Sequence, residues 1–283
     1  MKKSQIIVIG GGVLLFCLIY FFGNTIPPKE KTAESGADST NKSPSKIDIK
    51  SILAASKQEL TPDQQAKLAQ LEESVVRGDV KDQQIKNYKV LASYWKDSLH
   101  LLLPYFYYTA EASKLENSEK SLTFAAHYFL AELRRVESAD VKNWMAGEAK
   151  ELFEKALVIN PQNDSSKIGL GSCYLFGSIS ATPMEGIQMI SEVANRDSTN
   201  MFAQFMLGLG GYQSGQYEKA IIRLKKVVAK DPANLEAILA LAESYERSGD
   251  KAHAIEWYEK SKKFFDQPDI IKEIDARINL LKK

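Results

Sequence analysis

Hydrophobic and small residues recur twice in the same order in the last third of the chain. The stretch that begins at Met201 aligns without a gap with the stretch that begins at Leu235, at a spacing of about 34 residues. Self-similarity at this period predicts a solenoid of stacked helix pairs. The residues that coincide at equal offsets are Leu207 and Leu241, Gly208 and Ala242, Gly215 and Gly249, Ala220 and Ala254, and Leu224 and Tyr258.

Each repeated unit is predicted to contain two helices that touch closely. Gly208 on the first helix and Ala220 on the second remove side-chain bulk where the helices cross. Gly215 ends the first helix, because glycine adopts a left-handed terminal conformation at the least cost. Asp231-Pro232 breaks the chain before the next unit. This order of residues resembles the tetratricopeptide consensus, which implies an all-α, right-handed superhelical solenoid.

The same pattern continues upstream in a weaker form. Gly171 and Gly186 take the two small positions of one earlier unit, although Gly186 arrives late. Ala125 and Ala149 take these positions in the unit before it, where additional residues predict a longer helix or loop. We therefore predict N-terminal helices with a degenerate repeat over 58–117, repeats over 118–163, 164–200, 201–234 and 235–267, and a capping helix over 268–283.

An apolar run without a charged residue occupies positions 6–23. Its length is close to the ~20 apolar residues with which a helix crosses the hydrocarbon core. Lys2 and Lys3 precede the run and favour a cytoplasmic N-terminus. The alternative is a cleaved secretory signal, but Phe21 and Phe22 occupy the region where a small-residue cleavage site would lie.

Residues 1–24 are therefore predicted to form a cytoplasmic tip and one transmembrane helix, and residues 25–57 a disordered linker. The linker is rich in Pro, Lys, Glu, Ser, Thr and Asp, a composition that buries too little apolar surface to order itself. This topology places the repeats in the periplasm, or outside the cell, on a bacterial inner (cytoplasmic) membrane crossed once. The arrangement resembles bacterial single-span tetratricopeptide proteins, including ancillary subunits of the protein-export machinery and cytochrome c assembly factors.

Composition argues against several other functions. The chain has 37 basic and 36 acidic residues without a basic block, so nucleic-acid binding is not expected. His100, His127 and His253 fall in separate units without a second ligand at metal spacing. Cys17 and Cys173 are too far apart in the predicted topology to form a disulfide. No nucleophile, base and orienting group can be nominated together, so we expect neither catalysis nor a metal or cofactor.

The tetratricopeptide resemblance also implies a concave groove lined by particular first-helix positions. Carried onto this chain, these positions make the middle of the groove aromatic and apolar and its C-terminal end mostly acidic, which favours an extended peptide or an amphipathic helix as ligand. The alternative is that the aromatic residues pack against neighbouring repeats or the chain's own terminus. The residues predicted to bind a partner are Ile168, Leu175, Phe176, Phe202, Phe205, Leu209, Tyr212, Gln213, Leu239, Glu243 and Arg247.

These features predict a membrane-anchored scaffold that recruits a peptide or helix of a partner protein into the groove. A second hypothesis is a self-assembling structural module, a homo-oligomer that organises membrane complexes without a peptide ligand. A third, an enzyme regulator acting from the cytoplasmic side, requires the opposite topology.

Overall fold

A computed structural model describes residues 49–77, 80–179 and 183–283, and the described residues are all-α. A π-helical turn, Tyr94–Ser98, follows the helix Lys81–Ser93. The helices are α1 Ile49–Gln58, α2 Pro62–Arg77, α3 Lys81–Ser93, α4 Leu102–Glu116, α5 Glu119–Leu133, α6 Ala139–Ile159, α7 Asp164–Phe176, α8 Met184–Arg196, α9 Met201–Gln213, α10 Tyr217–Lys230, α11 Leu235–Ser248, α12 Lys251–Lys262 and α13 Pro268–Leu281.

The predicted transmembrane helix lies outside the described residues. Across the described ranges, every helix is too short or too polar to span a bilayer. Membrane anchoring therefore stays a prediction from the sequence.

Consecutive helices pack in pairs: α5 with α6, α7 with α8, α9 with α10, and α11 with α12. The first helices of successive pairs also contact one another, α5 with α7, α7 with α9, and α9 with α11. We call the surface formed by α5, α7, α9 and α11 the first-helix face. Pairs that stack on their neighbours form a helical-repeat solenoid, which confirms the all-α, helical-repeat part of the predicted fold class.

The small and apolar positions that repeat inside the helices are those that the helix pairs bury. Ala220, Leu224 and Ala254 have no exposed surface. Gly215 and Gly249 follow the first helices of their units with φ angles of +75° and +88°, the left-handed conformation that favours glycine. The predicted helix ends in these two repeats are therefore confirmed by backbone geometry.

An asparagine begins the first helix of three successive repeats. The side-chain oxygens of Asn163, Asn200 and Asn234 accept hydrogen bonds of 2.8, 3.0 and 3.0 Å from the backbone N–H three residues further on. Such a cap satisfies one of the unpaired N–H groups of the first turn and contributes about 0.5–2 kcal/mol. These caps recur with the repeat, although they were not among the features predicted from the sequence.

The helices α7 and α8 cross at a pair of glycines. An ideal Cβ atom on Gly186 would lie 2.2 Å from the carbonyl oxygen of Gly171, and one on Gly171 would lie 2.7 Å from the carbonyl oxygen of Gly186. Backbone atoms face each other here, so no side chain can move aside. In the next pair, a Cβ atom on Gly208 would lie 2.9 Å from the Leu224 side chain.

The structure differs from the predicted linker at its C-terminal end. Residues 49–57 belong to α1 and are helical. Leu53 packs against a separate N-terminal cluster that contains Leu68 and Trp95. The Lys57 Nζ atom lies 2.7 Å from a carboxylate oxygen of Glu72. The averaged polar composition of 25–57 hid this short amphipathic segment, which gains its order from tertiary contacts.

Gly186→Ala tests the close crossing of α7 and α8. We expect the free energy of unfolding to fall by about 1–3 kcal/mol or more, because the added methyl group meets backbone. Gly147→Ala in α6 is the matched control, since nothing lies within 4 Å of its Cβ position. That variant should be neutral or gain up to about 1 kcal/mol from helix propensity. Urea unfolding of the full chain measures the stability of both variants. Equal unfolding midpoints for the two variants would contradict the close crossing of α7 and α8.

Candidate partner-binding surface

An arginine that was not among the predicted groove residues occupies the middle of the first-helix face. Arg134 follows the last residue of α5, and its guanidinium carbon lies 5.7 Å from the ring centroids of both Phe176 and Phe205. The same group forms an ion pair with Glu236 in the first turn of α11. One side chain at the end of α5 thus contacts residues of α7, α9 and α11. Two of the predicted groove aromatics are covered by the chain's own cation.

A third predicted aromatic, Phe202, is covered by a histidine of α5. The His127 ring lies 5.4 Å from the Phe202 ring and 5.2 Å from the Phe153 ring, in edge-to-face contacts. Its Nε2 atom lies 2.8 Å from the Ser165 hydroxyl oxygen. Burial lowers the pKa of His127 below its usual value, because the charged form loses its hydration.

Several other predicted groove residues belong to the core instead. Ile168 has no exposed surface, and Phe176 and Leu209 are also buried. Leu175 packs onto α9 where Gly210 leaves room, since a Cβ atom on Gly210 would lie 2.7 Å from Leu175 Cδ2. The prediction is wrong for Ile168 as a contact residue, because the inner helices pack side by side and cover positions that a more open solenoid would expose.

An open cleft of about 320 Å³ remains at the C-terminal end of the first-helix face. Tyr212, Leu239, Glu243 and Arg247 line it, as the groove prediction requires of these residues. Gln213 is exposed beside them at the end of α9. The lining residues that the sequence analysis missed come from α11, α12 and the capping helix α13, and they are Glu246, Tyr258, Glu273, Ile274 and Arg277.

Part of the charge in this C-terminal cleft is already paired. Glu246 accepts hydrogen bonds from the Tyr258 hydroxyl at 2.8 Å and from Arg277 Nε at 2.9 Å. Burial, followed by a hydrogen bond with Glu243, raises the pKa of Tyr212 to about 12, so this hydroxyl stays protonated. Glu273 is exposed on α13 at the edge of the cleft. The cleft therefore combines apolar walls with a mixed, slightly acidic set of charges.

A second cleft, of about 470 Å³, lies near the other end of the repeats, between α3, α4 and α5. None of the predicted groove residues lines it. Phe124 stands at its edge with 59% of its surface exposed. At this second cleft the Lys89 Nζ atom lies 2.7 Å from a carboxylate oxygen of Glu116.

His127 makes stability depend on pH. Its folded-state pKa lies below the usual 6.5, so the unfolded chain binds this proton more tightly and stability falls as pH drops below about 6.5. The loss is at most about 1.4 kcal/mol per pH unit. We expect His127→Gln to flatten the curve between about pH 5 and pH 6.5 in urea unfolding at several pH values.

The control for this pH experiment is His100→Asn. His100 is exposed and has a left-handed φ angle of 56°, which asparagine tolerates. The assignment of the pH dependence to His127 would be contradicted if the slope of the unfolding free energy against pH were unchanged in His127→Gln. It would also be contradicted if His100→Asn changed this slope equally.

Comparisons with known proteins agree with this fold. A tetratricopeptide repeat family model matches residues 212–270. A comparison with curated proteins found no match. Among solved structures, a thermophilic tetratricopeptide protein of Thermus thermophilus is similar with a TM-score of 0.50 and 16% identity, over 70% of this chain and 98% of that one.

Two further solved structures are more distant. MamA aligns with a TM-score of 0.43 and 16% identity, over 63% of this chain and 90% of that one. YrrB, described as a tetratricopeptide protein with an unusual peptide-binding site, aligns with a TM-score of 0.41 and 17% identity, over 67% and 91%. No catalytic family is indicated by these matches. The repeated helix pairs and the similarity of fold show a helical-repeat solenoid, in which residues 212–270 match a tetratricopeptide repeat family model.

Proposed function

We propose that this chain is a scaffold that binds a segment of a partner protein in the C-terminal cleft of the first-helix face. Repeat solenoids use such extended inner surfaces to bind other proteins. The observation that carries the proposal is the cleft itself, where Leu239 and Ile274 lie beside Tyr212 and the carboxylate of Glu243. Apolar walls supply binding energy, and a few polar groups fix the orientation of a ligand.

The chemistry of the cleft favours a segment with an apolar side chain next to a basic one. Glu243, which is hydrogen-bonded to Tyr212, and Glu273 line the cleft and together outnumber the Arg247 cation. Glu246 is held by Arg277 and Tyr258. An apolar anchor in a pocket carries most of the affinity, and charges at the rim mainly set orientation and association rate.

We further propose that residues 6–23 hold the repeats at a membrane. The support is the uncharged apolar run after Lys2 and Lys3. In this proposal the scaffold faces the periplasm or the cell exterior and keeps its partner close to the bilayer. The runner-up function is self-assembly of the chain, which would organise membrane complexes without a peptide ligand.

Site-specific crosslinking tests the binding proposal. A photo-crosslinking residue placed at Leu239 or Glu273 of the full chain should capture one segment of a different protein. Ile222 on α10 is the matched control position, because it is apolar, 61% exposed and does not line the cleft. We expect little capture from Ile222. Capture of a second copy of this chain from the cleft would favour self-assembly instead.

Shortening two side chains that line the cleft tests how much they contribute to the affinity. Leu239→Ala combined with Tyr212→Ala should weaken binding of the captured segment roughly 30-fold, as expected for loss of about 2 kcal/mol at an anchor site. Ile222→Ala should leave the affinity unchanged. Calorimetric titration measures the affinities, and the unfolding midpoints show whether the fold is kept. Full affinity in the double variant would show that the cleft is not the site.

The topology can be tested separately from binding. A reporter that is active only in the cytoplasm, fused after Lys283, should stay silent in a bacterial host because the repeats lie across the membrane. A reporter that is active only in the periplasm should give signal at the same position. Strong cytoplasmic activity would reverse the orientation.

A further inference from the structure

Three side chains on the first-helix face form a cage around the Arg134 guanidinium. We call Phe176, Phe205 and Glu236 the cation cage. The two rings lie at equal distances of 5.7 Å from the guanidinium carbon, and Glu236 pairs with its N–H groups. Aromatic faces together with a carboxylate are the groups that recognise a guanidinium, which is planar, permanently charged and weakly hydrated.

The cage is built from three different repeats. Phe176 is the last residue of α7, Phe205 lies in the first half of α9, and Glu236 lies in the first turn of α11. A carboxylate is favoured at that last position, because the N-terminal end of a helix carries partial positive charge. The cage is thus fixed by the solenoid, whereas Arg134 begins the connection 134–138 between α5 and α6.

The three members of the cage differ in exposure: with Arg134 in place Phe176 is buried and Phe205 is partly exposed, whereas Glu236 is the most exposed. The Glu236 side chain is 51% exposed, so a ligand can reach the carboxylate from solvent. The Arg134 side chain is only 23% exposed. Burial lowers the pKa of Arg134, because the charged group has lost hydration, and Glu236 partly offsets this cost. Release of Arg134 into water would restore that hydration.

We infer that the cation cage is a binding site for an arginine side chain of a partner protein, and that Arg134 occupies it in the unbound chain. This inference rests on the proposed function, because the cage and the C-terminal cleft adjoin on the same two helices. Phe205 and Tyr212 lie two turns apart on α9, and Glu236 and Leu239 lie one turn apart on α11. A partner segment with arginine in the cage can therefore continue along these two helices and place an apolar residue, a few positions from the arginine, at the cleft.

The exchange replaces one guanidinium with another. The incoming arginine makes the same contacts with both rings and the carboxylate, so the cage needs no rearrangement. Arg134 competes as an intramolecular ligand, with an effective concentration in about the millimolar range. A free arginine compound should consequently bind the wild-type chain weakly and bind a chain without Arg134 more tightly.

The test uses N-acetyl-arginine amide as the probe and N-acetyl-citrulline amide as its neutral, isosteric control. Ligand-observed NMR titration on the full chain measures binding. We expect Arg134→Ala to bind the arginine probe at least about tenfold more tightly than the wild type, because the intramolecular competitor is gone. The citrulline probe should bind this variant at least about tenfold more weakly than arginine, because it lacks the positive charge.

Two further variants make the result specific. Arg135→Ala removes the same charge one residue further on, at a side chain that is 75% exposed and paired with Glu132, and it should behave as wild type. Glu236→Gln added to Arg134→Ala should reverse the gain in arginine binding. If Arg134→Ala does not unfold cooperatively, Arg134→Gln takes its place. Equal binding of both probes, or no binding of arginine to either folded variant, would overturn the inference.

Failure of the cage can be told apart from failure of the proposed function. One outcome is that the captured partner segment binds at the cleft with an affinity that does not change when its arginines are replaced. If the arginine probe also binds all cage variants equally, the scaffold proposal stands and the cage is structural. If the probe enters the cage while no protein is captured at Leu239 or Glu273, the cage stands and the scaffold proposal fails.

Discussion

The close approach of neighbouring helices is the constraint on which the rest of this structure depends. Gly171 and Gly186 let α7 and α8 cross at backbone contact, and Gly210 leaves room for Leu175 between α7 and α9. The first helices of successive pairs also contact one another, and Arg134 lies against Phe176 of α7 and Phe205 of α9. The open cleft beside α13 lies at the C-terminal end of the same face.

The features that repeat locally were predictable from the sequence. The small, apolar and glycine positions of the two best repeats gave the correct helix pairs, because each acts within a single 34-residue period. Tyr212, Leu239, Glu243 and Arg247 line one cleft, and their positions within the repeats could be read from the same period. The asparagine caps recur with the same period and are therefore also visible in the sequence.

The features that join distant repeats were not predictable in this way. Arg134 and Glu236 are separated by the intervening repeats, and no spacing within one unit relates them. Ile168 was assigned to the groove by its position in the unit, but its burial depends on how tightly neighbouring units stack. The contribution of Ile274 likewise depends on where the capping helix docks. The position of a residue within its repeat follows from the sequence, whereas its contacts with other repeats depend on how the repeats pack.

The contact of Arg134 with Glu236 changes the cooperativity of the array. A solenoid is usually a nearest-neighbour system, in which each repeat is stabilised only by the one before and the one after, and its ends unravel independently. A link from the end of α5 to the start of α11 closes a loop through the intervening repeats and ties their unfolding together. Because this link is partly exposed, salt weakens it. At high ionic strength this tie between distant repeats should therefore contribute less to their joint unfolding than at low ionic strength.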